Sequence, residues 1–137
     1  MIGITSYGGY IPWLRLNRKS IYQAIGWLAP GTRAASQGER SMCNWDEVDA
    51  VHLASTTLPF ADRLNAGIMA CALNLREDIG AADFTSCLKA GTSALLAGLK
   101  AVKSGENRGV LVVAADRRET KAASMNELYC GDGAAAL

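Results

Sequence analysis

The stretch Gly109-Val-Leu-Val-Val-Ala-Ala115 contains no polar side chain. A continuous apolar run of this kind is typical of a parallel strand that is covered on both faces of a sheet. The segment before it, Cys87 to Lys103, has the clearest helical pattern in the chain. Val48 to Ser55 predicts a second strand, and Asp62 to Leu75 predicts a second helix. Strands that alternate with helices predict an α/β layered fold.

The remaining segments predict shorter elements. Ile2 to Ile11 is rich in β-branched and aromatic residues and predicts a strand with a bulge or bend. Ser20 to Leu28 predicts a short helix, Thr32 to Glu47 a loop, and Phe84 to Ser86 a short extended piece. Gly131 to Leu137 is a turn followed by an apolar run that has only begun when the chain stops. We therefore expect residues 1–137 to be one piece of a longer protein.

Composition excludes several classes of function. The 137 residues carry 14 Lys+Arg and 13 Asp+Glu, a net charge of +1, which is far from the basic excess of a nucleic-acid-binding surface. The longest uncharged run is too short for a membrane span, and no basic segment precedes it as in a secretory signal. The four cysteines lack any CxxC spacing. We therefore expect a cytoplasmic protein with reduced thiols, no metal site and no membrane or nucleic-acid partner.

Small residues form a narrow stripe on the longest predicted helix, at Cys87, Gly91, Ala94, Gly98 and Ala101. Each glycine costs a helix about 1 kcal/mol relative to alanine, so the stripe indicates that another backbone comes close. Two interpretations are open. The helix either packs on a sheet or is buried against a second helix, and the second interpretation is preferred because no other segment shows a similar face.

Cys87 is the candidate nucleophile. The pattern places it at the start of this helix, directly after a short extended piece. Unpaired N–H groups and the helix dipole favour an anion there, so a thiolate is stabilised. The alternative is a packed and inert cysteine.

Three segments resemble one family. Asp83-Phe-Thr-Ser-Cys-Leu-Lys-Ala-Gly-Thr-Ser-Ala-Leu95 resembles the segment with the active-site cysteine in the 3-hydroxy-3-methylglutaryl-CoA synthase-like branch of the thiolase superfamily. Ile2 to Pro12 resembles the opening strand of that branch, and Gly131 to Leu137 a later turn and strand. The resemblance implies the N-terminal half of a thiolase-like layered fold, with a mixed sheet and a central buried helix. In that fold the central helices of two similar halves pack together.

The resemblance also implies a function. Cys87 is the residue that an acyl-CoA acylates, and backbone N–H groups stabilise the oxyanion. A coenzyme A thioester is then the substrate, and the chain binds no cofactor or metal of its own. The family further implies a homodimer and a possible zinc-ribbon/OB-fold companion protein.

The sequence departs from the family in two places. Thr56 stands where the family has a general acid/base glutamate, and threonine cannot exchange a proton near neutral pH. Asp62 and Glu47 are possible substitutes, although surface or capping roles are favoured for both. The family usually inserts a helix between Glu47 and Val48. Either that segment has been lost or omitted here, or this representative does without it. The catalytic histidine of the family lies in its second half, so His52 is interpreted as structural.

Other reactive residues have weaker claims. Cys71 is interpreted as core, Cys43 has no assigned role, and Cys130 either packs or approaches the site. Arg117-Arg118 either reaches a CoA phosphate or a neighbouring subunit, or is a solvated strand end. Asp132, between two glycines, is interpreted as a turn residue.

The sequence thus predicts an acyltransferase that acts on acyl-CoA thioesters through Cys87, by condensation or by its thiolytic reverse. One alternative is a non-catalytic thiolase-fold subunit in which Cys87 only packs. A second alternative is a small doubly wound binding domain, for which no phosphate-loop motif is present.

Overall fold

The computed structural model describes residues 2–11, 45–121, 124, 126 and 131–137. A short 3₁₀ helix precedes the second strand at Trp45–Glu47. The strands and helices are β1 Gly8–Tyr10, β2 Ala50–Ala54, α1 Asn65–Ala72, β3 Gly80–Phe84, α2 Ala90–Ser104, β4 Val110–Asp116 and β5 Gly133–Ala136.

The strands form one mixed sheet in the order β1-β5-β4-β2-β3. β2 lies between β3 and β4 and pairs with both in parallel, so that Val51 faces Ala81 on one side and Leu111 on the other. β5 and β1 extend the sheet beyond β4 in antiparallel orientation. Helices connect the parallel strands, as such crossovers require. The predicted mixed α/β sheet is confirmed.

The two helices cover opposite faces of the sheet. Val51 and Leu53 of β2 pack with Ala66 of α1, whereas Ala54 packs with Ala94 of α2. Because successive side chains of a strand point to opposite faces, α1 and α2 lie on opposite sides. Val51 is fully buried at the centre of the α1 side. The result is a layered arrangement of helix, sheet and helix.

Gly91, Ala94 and Gly98 of the small-residue stripe face the sheet, whereas Cys87 lies outside α2 and is exposed. Ala94 is fully buried, and a Cβ atom on Gly98 would lie 3.2 Å from side-chain atoms of both Val110 and Val112. For these residues the preferred interpretation, a second helix as partner, is wrong, and packing on a sheet is correct. Small residues let α2 come close to the valine side chains of the sheet, just as they would let it come close to another helix. The stripe alone could therefore not distinguish a sheet from a helix as the partner.

The carboxyl end of α2 and the amino end of α1 are capped in different ways. Gly105 ends α2 in the left-handed conformation (φ +80°). At the start of α1 the carboxylate of Asp83 accepts hydrogen bonds from the backbone N–H groups of Asn65 (2.8 Å) and Ala66 (2.7 Å). The capping group therefore comes from β3 rather than from the residue before the helix, and no local sequence signal reveals it.

Several element boundaries differ from the predictions. The strand before Cys87 is Gly80–Phe84, and it ends where the predicted piece Phe84 to Ser86 begins. Most of this strand was not predicted, because Gly-Ala-Ala-Asp lacks the β-branched residues on which the prediction relied. α1 is shorter than the predicted helix by three residues at each end. β1 occupies only part of Ile2 to Ile11. The predicted helix Ser20 to Leu28 lies outside the described residues.

The prediction that Cys71 belongs to the core is wrong, because this cysteine is exposed. α1 buries Asn65, Ala66 and Ala70, while Ile68 on another side is 44% exposed. Apolar residues lie all around this short helix, so their spacing could not identify the buried side. Cys43 and Cys130 lie outside the described residues. In the described part of the chain, no helix combines the length and apolar character that a membrane span requires.

Candidate active site at the carboxyl ends of the parallel strands

Polar residues follow each of the three parallel strands at the same edge of the sheet. Ser55–Thr57 follow β2, Thr85–Cys87 follow β3, and Arg117–Arg118 follow Asp116 at the end of β4. We call this set, with Asp116, the carboxyl rim. In α/β sheets ligands bind outside the carboxyl ends of parallel strands, so a functional site is expected at the rim.

Asp116 joins β4 to the turn after β2. Its Oδ1 atom accepts hydrogen bonds from the Thr56 N–H (2.7 Å), the Ser55 hydroxyl (2.9 Å), the Thr56 hydroxyl (3.1 Å) and the Thr57 hydroxyl (3.2 Å). This role of Asp116 was not predicted from the sequence. A usable signal was present, because polar Ser-Thr-Thr and Asp segments each follow directly on a buried strand.

The carboxyl group of Asp116 is held ionised by these donors. Partial burial acts to raise its pKa, but the hydrogen bonds from Thr56 N–H and from the hydroxyls of Ser55, Thr56 and Thr57 outweigh burial and lower the pKa below its ordinary value of 3.8. The rim therefore carries a fixed negative charge that is stabilised by neutral donors.

The turn after β2 is also tied to the strand that leads to Cys87. The Ser55 N–H donates to the Phe84 carbonyl oxygen over 3.0 Å. Ser55 itself is buried. The three strand ends of the rim are thus linked through one short turn.

Cys87 is exposed and lies in the turn between β3 and α2. The sequence predicted Cys87 as the first residue of the helix, but it precedes the helix by three residues. Its carbonyl oxygen accepts a hydrogen bond from the Ala90 N–H (3.2 Å). Ser86, directly before it, adopts a left-handed conformation (φ +68°). This conformation is unfavourable for serine, and such backbone strain is found at functional sites.

His52 has a structural environment, in agreement with its interpretation. Its Nδ1 atom lies 3.2 Å from the carbonyl oxygen of Ala94 in α2. Its ring lies 5.1 Å from that of Phe84, centroid to centroid. The imidazole therefore joins helix to sheet.

The two arginines that follow β4 differ. Arg117 is exposed, and its backbone N–H donates to the Thr57 hydroxyl (3.0 Å). Arg118 is half-buried, and its Nη2 lies 3.5 Å from the Thr56 hydroxyl oxygen, at the limit of hydrogen-bond distance. The interpretation of this pair as a solvated strand end therefore holds for Arg117 only.

The possible carboxylate substitutes for a glutamate at position 56 are both exposed. Glu47 lies in the 3₁₀ helix before β2, at the opposite end of the strand from the rim. Asp62 lies in the exposed loop before α1. The 3₁₀ helix leads into β2 through the Val48 N–H, which donates to the Trp45 carbonyl (3.2 Å), so no further helix intervenes there.

A pocket of about 310 Å³ opens beside the rim. It is predominantly apolar, and its polar lining includes Ser55, Asp116 and Asp132. Leu53, which packs on the α1 side of the sheet, also lines it. Cys87 is not among the lining residues described, so the pocket and the candidate nucleophile are separate features.

Comparison with curated proteins finds hydroxymethylglutaryl-CoA synthases. The chain is 27% identical to the enzyme of Pyrococcus horikoshii over 154 residues, and 29% identical to that of Archaeoglobus fulgidus over 161 residues. These matches cover 99% and 100% of this chain but 44% and 47% of the relatives. The chain thus spans less than half the length of these relatives. The resemblance stated from the sequence is confirmed.

Comparison with solved structures gives the same fold. MvaS in complex with 3-hydroxy-3-methylglutaryl coenzyme A superposes with a TM-score of 0.82 at 17% identity, over 98% of this chain and 38% of that one. The fold is thiolase-like. The priming β-ketosynthase of the R1128 polyketide pathway gives a TM-score of 0.79 at 22% identity, over 96% and 47% of the two chains. Both proteins therefore share the fold of this chain.

No protein-family model matches the chain. The alignment with the Pyrococcus horikoshii enzyme runs over 154 positions, more than the 137 residues of the chain, so that enzyme contains residues without a counterpart here. The resemblance predicts an extra segment in the family, and its position between Glu47 and Val48 stays a prediction.

Proposed function

We propose that the protein is an acyltransferase of the condensing-enzyme type, which accepts the acyl group of a coenzyme A thioester on Cys87. The observation that carries the proposal is the position of Cys87. It is exposed, it follows a left-handed serine, and it lies at the carboxyl rim of a thiolase-like fold. The similarity to hydroxymethylglutaryl-CoA synthases, and the coenzyme A compound in the complex of MvaS, support a coenzyme A thioester as the substrate.

The proposed step is a thioester exchange. The Cys87 sulfur, as thiolate, attacks the thioester carbonyl carbon and forms a new carbon–sulfur bond. The bond from that carbon to the coenzyme A sulfur breaks, and coenzyme A leaves as a thiol with the proton that Cys87 gave up. The acyl-enzyme then either condenses with a second thioester or returns its acyl group to coenzyme A.

Thr56 limits the second step. Its hydroxyl proton is directed at Asp116 (3.1 Å), and its hydroxyl cannot serve as a general acid or base near neutral pH. An aldol-type condensation that depends on a carboxylate at this position is therefore not favoured. A condensation or thiolysis that does not need one fits the site better.

Residues 1–137 are proposed to be the N-terminal half of the working enzyme. Three leucines form an exposed apolar surface: Leu88, just before α2, is 81% exposed, and Leu96 and Leu99, in α2, are 50% and 36% exposed. The rest of a longer protein is proposed to cover this surface. The whole protein is further proposed to be a cytoplasmic homodimer, with a possible zinc-ribbon/OB-fold companion. The cytoplasmic location rests on the cysteine pattern, and the homodimer and the companion protein rest on the resemblance alone.

The test uses the complete gene product and a panel of acyl-CoA thioesters. Release of free coenzyme A is measured for the wild type, for Cys87→Ser and for the matched control Cys71→Ser. We expect Cys87→Ser to abolish release with every thioester, because serine is a far weaker nucleophile at neutral pH than a thiolate. Cys71→Ser should leave release unchanged, since Cys71 lies on α1, away from the rim.

Equal release by wild type and Cys87→Ser would contradict the proposal. Absence of release by the wild type with all thioesters would favour the non-catalytic subunit instead. Thr56→Glu, assayed on the same panel, shows whether a carboxylate at this position changes which thioesters react.

A further inference from the structure

The Arg118 side chain has a cationic head group whose donors are mostly unused in the described part of the chain. Its one contact there joins Nη2 to the Thr56 hydroxyl oxygen over 3.5 Å, the outer limit of a hydrogen bond. A guanidinium carries a planar fork of N–H donors, so most of them remain for another acceptor. Arg118 is only half-buried, and such an acceptor can therefore reach it from solvent.

The charge of Arg118 also has no direct counter-charge among the described residues. Arg76 and Arg108, by contrast, both form ion pairs of 2.7 Å with one carboxylate. The carboxylate of Asp116, two residues before Arg118, forms no such pair with it. The Thr56 hydroxyl lies between the two charges, because it donates to Asp116 Oδ1 over 3.1 Å and accepts from Arg118. An acidic ligand group can therefore still pair with this guanidinium.

The guanidinium of Arg118 lies on the same part of the rim as the segment that carries Cys87. The Ser55 N–H donates to the Phe84 carbonyl oxygen over 3.0 Å. Thr56, the contact of Arg118, is the next residue after Ser55, and Cys87 is the third residue after Phe84. The ends of β2, β3 and β4 lie side by side, since β2 pairs in parallel with both neighbours. A short acyl chain on the Cys87 sulfur can therefore extend along the rim that Arg118 enters from β4.

The chemistry of the open donors favours a carboxylate as the ligand group. Arginine binds a carboxylate through two parallel N–H···O bonds, which are charge-assisted and specific in geometry. Position 56 cannot supply that carboxylate from the chain, because threonine ends in a neutral hydroxyl whose proton is already given to Asp116. The negative group must then come from the ligand.

We propose that Arg118 is a specificity-determining residue, which binds a free carboxylate at the far end of the acyl group on Cys87. The acyl donors are then coenzyme A thioesters of short dicarboxylic acids, with one carboxyl group in the thioester and the other ionised. The ionised carboxylate takes no part in the thioester exchange and decides only which acyl group is accepted. This inference rests on the proposed function of Cys87 and names the substrate class for it.

The test compares thioesters in pairs that differ only in the end of the acyl chain. Succinyl-CoA is paired with butyryl-CoA and glutaryl-CoA with pentanoyl-CoA, so that a methyl group replaces the carboxylate. The second-order rate constant of Cys87 acylation is measured on the complete gene product by peptide mass spectrometry. We expect the wild type to prefer the carboxylate-ended member of at least one pair by about 10- to 100-fold, the scale of a charge-assisted hydrogen bond.

Three variants assign this preference to Arg118. Arg118→Gln should reduce it to about twofold or less, while acylation by the methyl-ended thioester stays within about twofold of the wild type, which shows that the site is still formed. Arg118→Lys should keep part of the preference, because it retains the charge without the fork of donors. The control Lys103→Gln also removes one positive charge, but from an exposed residue in the last turn of α2. It should keep the full preference.

Each other outcome overturns the inference. A wild type that accepts both members of every pair equally, or prefers the methyl-ended ones, excludes the substrate class and leaves the proposed function intact. Equal slowing of both members by Arg118→Gln indicates a contact with the coenzyme A phosphates or a general structural role. Loss of the preference in Lys103→Gln indicates long-range attraction instead of a contact. Absence of acylation in the wild type with all thioesters overturns the proposed function and, with it, this inference.

Discussion

A carboxylate of lowered pKa lies beside each end of the central strand β2, but the two carboxylates are stabilised differently. Asp49, at the amino end, forms ion pairs of 2.7 Å with Arg76 and with Arg108. Hydrogen bonds from the side chain and backbone of Arg108 hold its pKa far below the ordinary range. Asp116, at the carboxyl end, is stabilised by hydroxyls and an N–H group. Among the described residues it forms no ion pair.

The backbone shows the same contrast. Left-handed residues in the loops at the amino end of the sheet are Asn74 (φ +52°) and Gly105 (φ +80°), two residue types that tolerate this conformation. At the carboxyl end the left-handed residue is Ser86, beside Cys87. At the amino end the charge of Asp49 is neutralised by two arginines and the left-handed residues are unstrained. At the carboxyl end the charge of Asp116 has no ion-pair partner among the described residues, and Ser86 is strained. We interpret the amino end as scaffold and the carboxyl end as site.

Acid should produce the largest effect on stability, because three carboxyl groups contribute together. Asp49, Asp83 and Asp116 all have folded-state pKa values below their ordinary 3.8. Their stabilisation is complete above about pH 4 and is lost as the pH falls further, since the unfolded chain then takes up protons first. We expect the urea midpoint of unfolding to fall between pH 5 and pH 3.

The same titration on Asp49→Asn and on Asp116→Asn separates the contributions of the two carboxyl groups. Each variant should lose less stability in acid than the wild type. A wild-type midpoint that is unchanged at pH 3 would show that the lowered pKa values do not contribute to folding.

Asp116→Ala should destabilise the protein by about 2–3 kcal/mol, because it leaves several donors around a buried Ser55 without an acceptor. The free energy of unfolding is measured by urea titration at pH 7. The loss should be insensitive to salt, since Asp116 is stabilised by neutral groups.

Asp49→Ala is the matched control at the other end of β2. Its ion pairs involve the exposed side chains of Arg76 and Arg108 and are screened by salt. The destabilisation by Asp49→Ala should therefore shrink when the salt concentration is raised to about 1 M. If Asp116→Ala shows the stronger salt dependence, the two ends do not differ in the way we describe.

The smallest expected effect concerns backbone strain. Ser86→Gly should raise the free energy of unfolding by about 0.5–1 kcal/mol, because glycine adopts the left-handed conformation without strain. Asn74→Gly, the control at the amino end, should give a smaller change, since asparagine tolerates this conformation. Ser86→Gly should also slow the acylation of Cys87. Faster acylation in Ser86→Gly would argue against a functional role for the strain.

Much of the fold could be predicted from local patterns. The apolar run at β4, the strand β2 and the helix α2 with its glycine end are each visible within a few residues. β3 was missed because its Gly-Ala-Ala-Asp sequence is stabilised by pairing with β2 and not by its own propensity. The partner of the α2 stripe could not be predicted, because small residues report close approach without reporting what approaches.

The site was predictable only in part. Cys87 was found through its place between an extended piece and a helix, and through the resemblance of the surrounding segment. Asp116 was not found, because its donors lie about 60 residues earlier in the sequence and meet it only when β2 and β4 pair. The capping of α1 by Asp83 was also not predicted, because Asp83 meets the start of α1 only when β3 takes its place in the sheet. Long-range hydrogen bonds of this kind need the topology of the sheet.

We propose that the carboxyl rim is an acyl-transfer site with Cys87 as its nucleophile. The most direct test incubates the complete gene product with acetyl-CoA, digests it at low pH and locates the acetyl group by peptide mass spectrometry. We predict one acetyl group on the peptide that contains Cys87 and none on the peptide that contains Cys71. Acetylation of Cys71 alone, or of neither cysteine, would contradict the account.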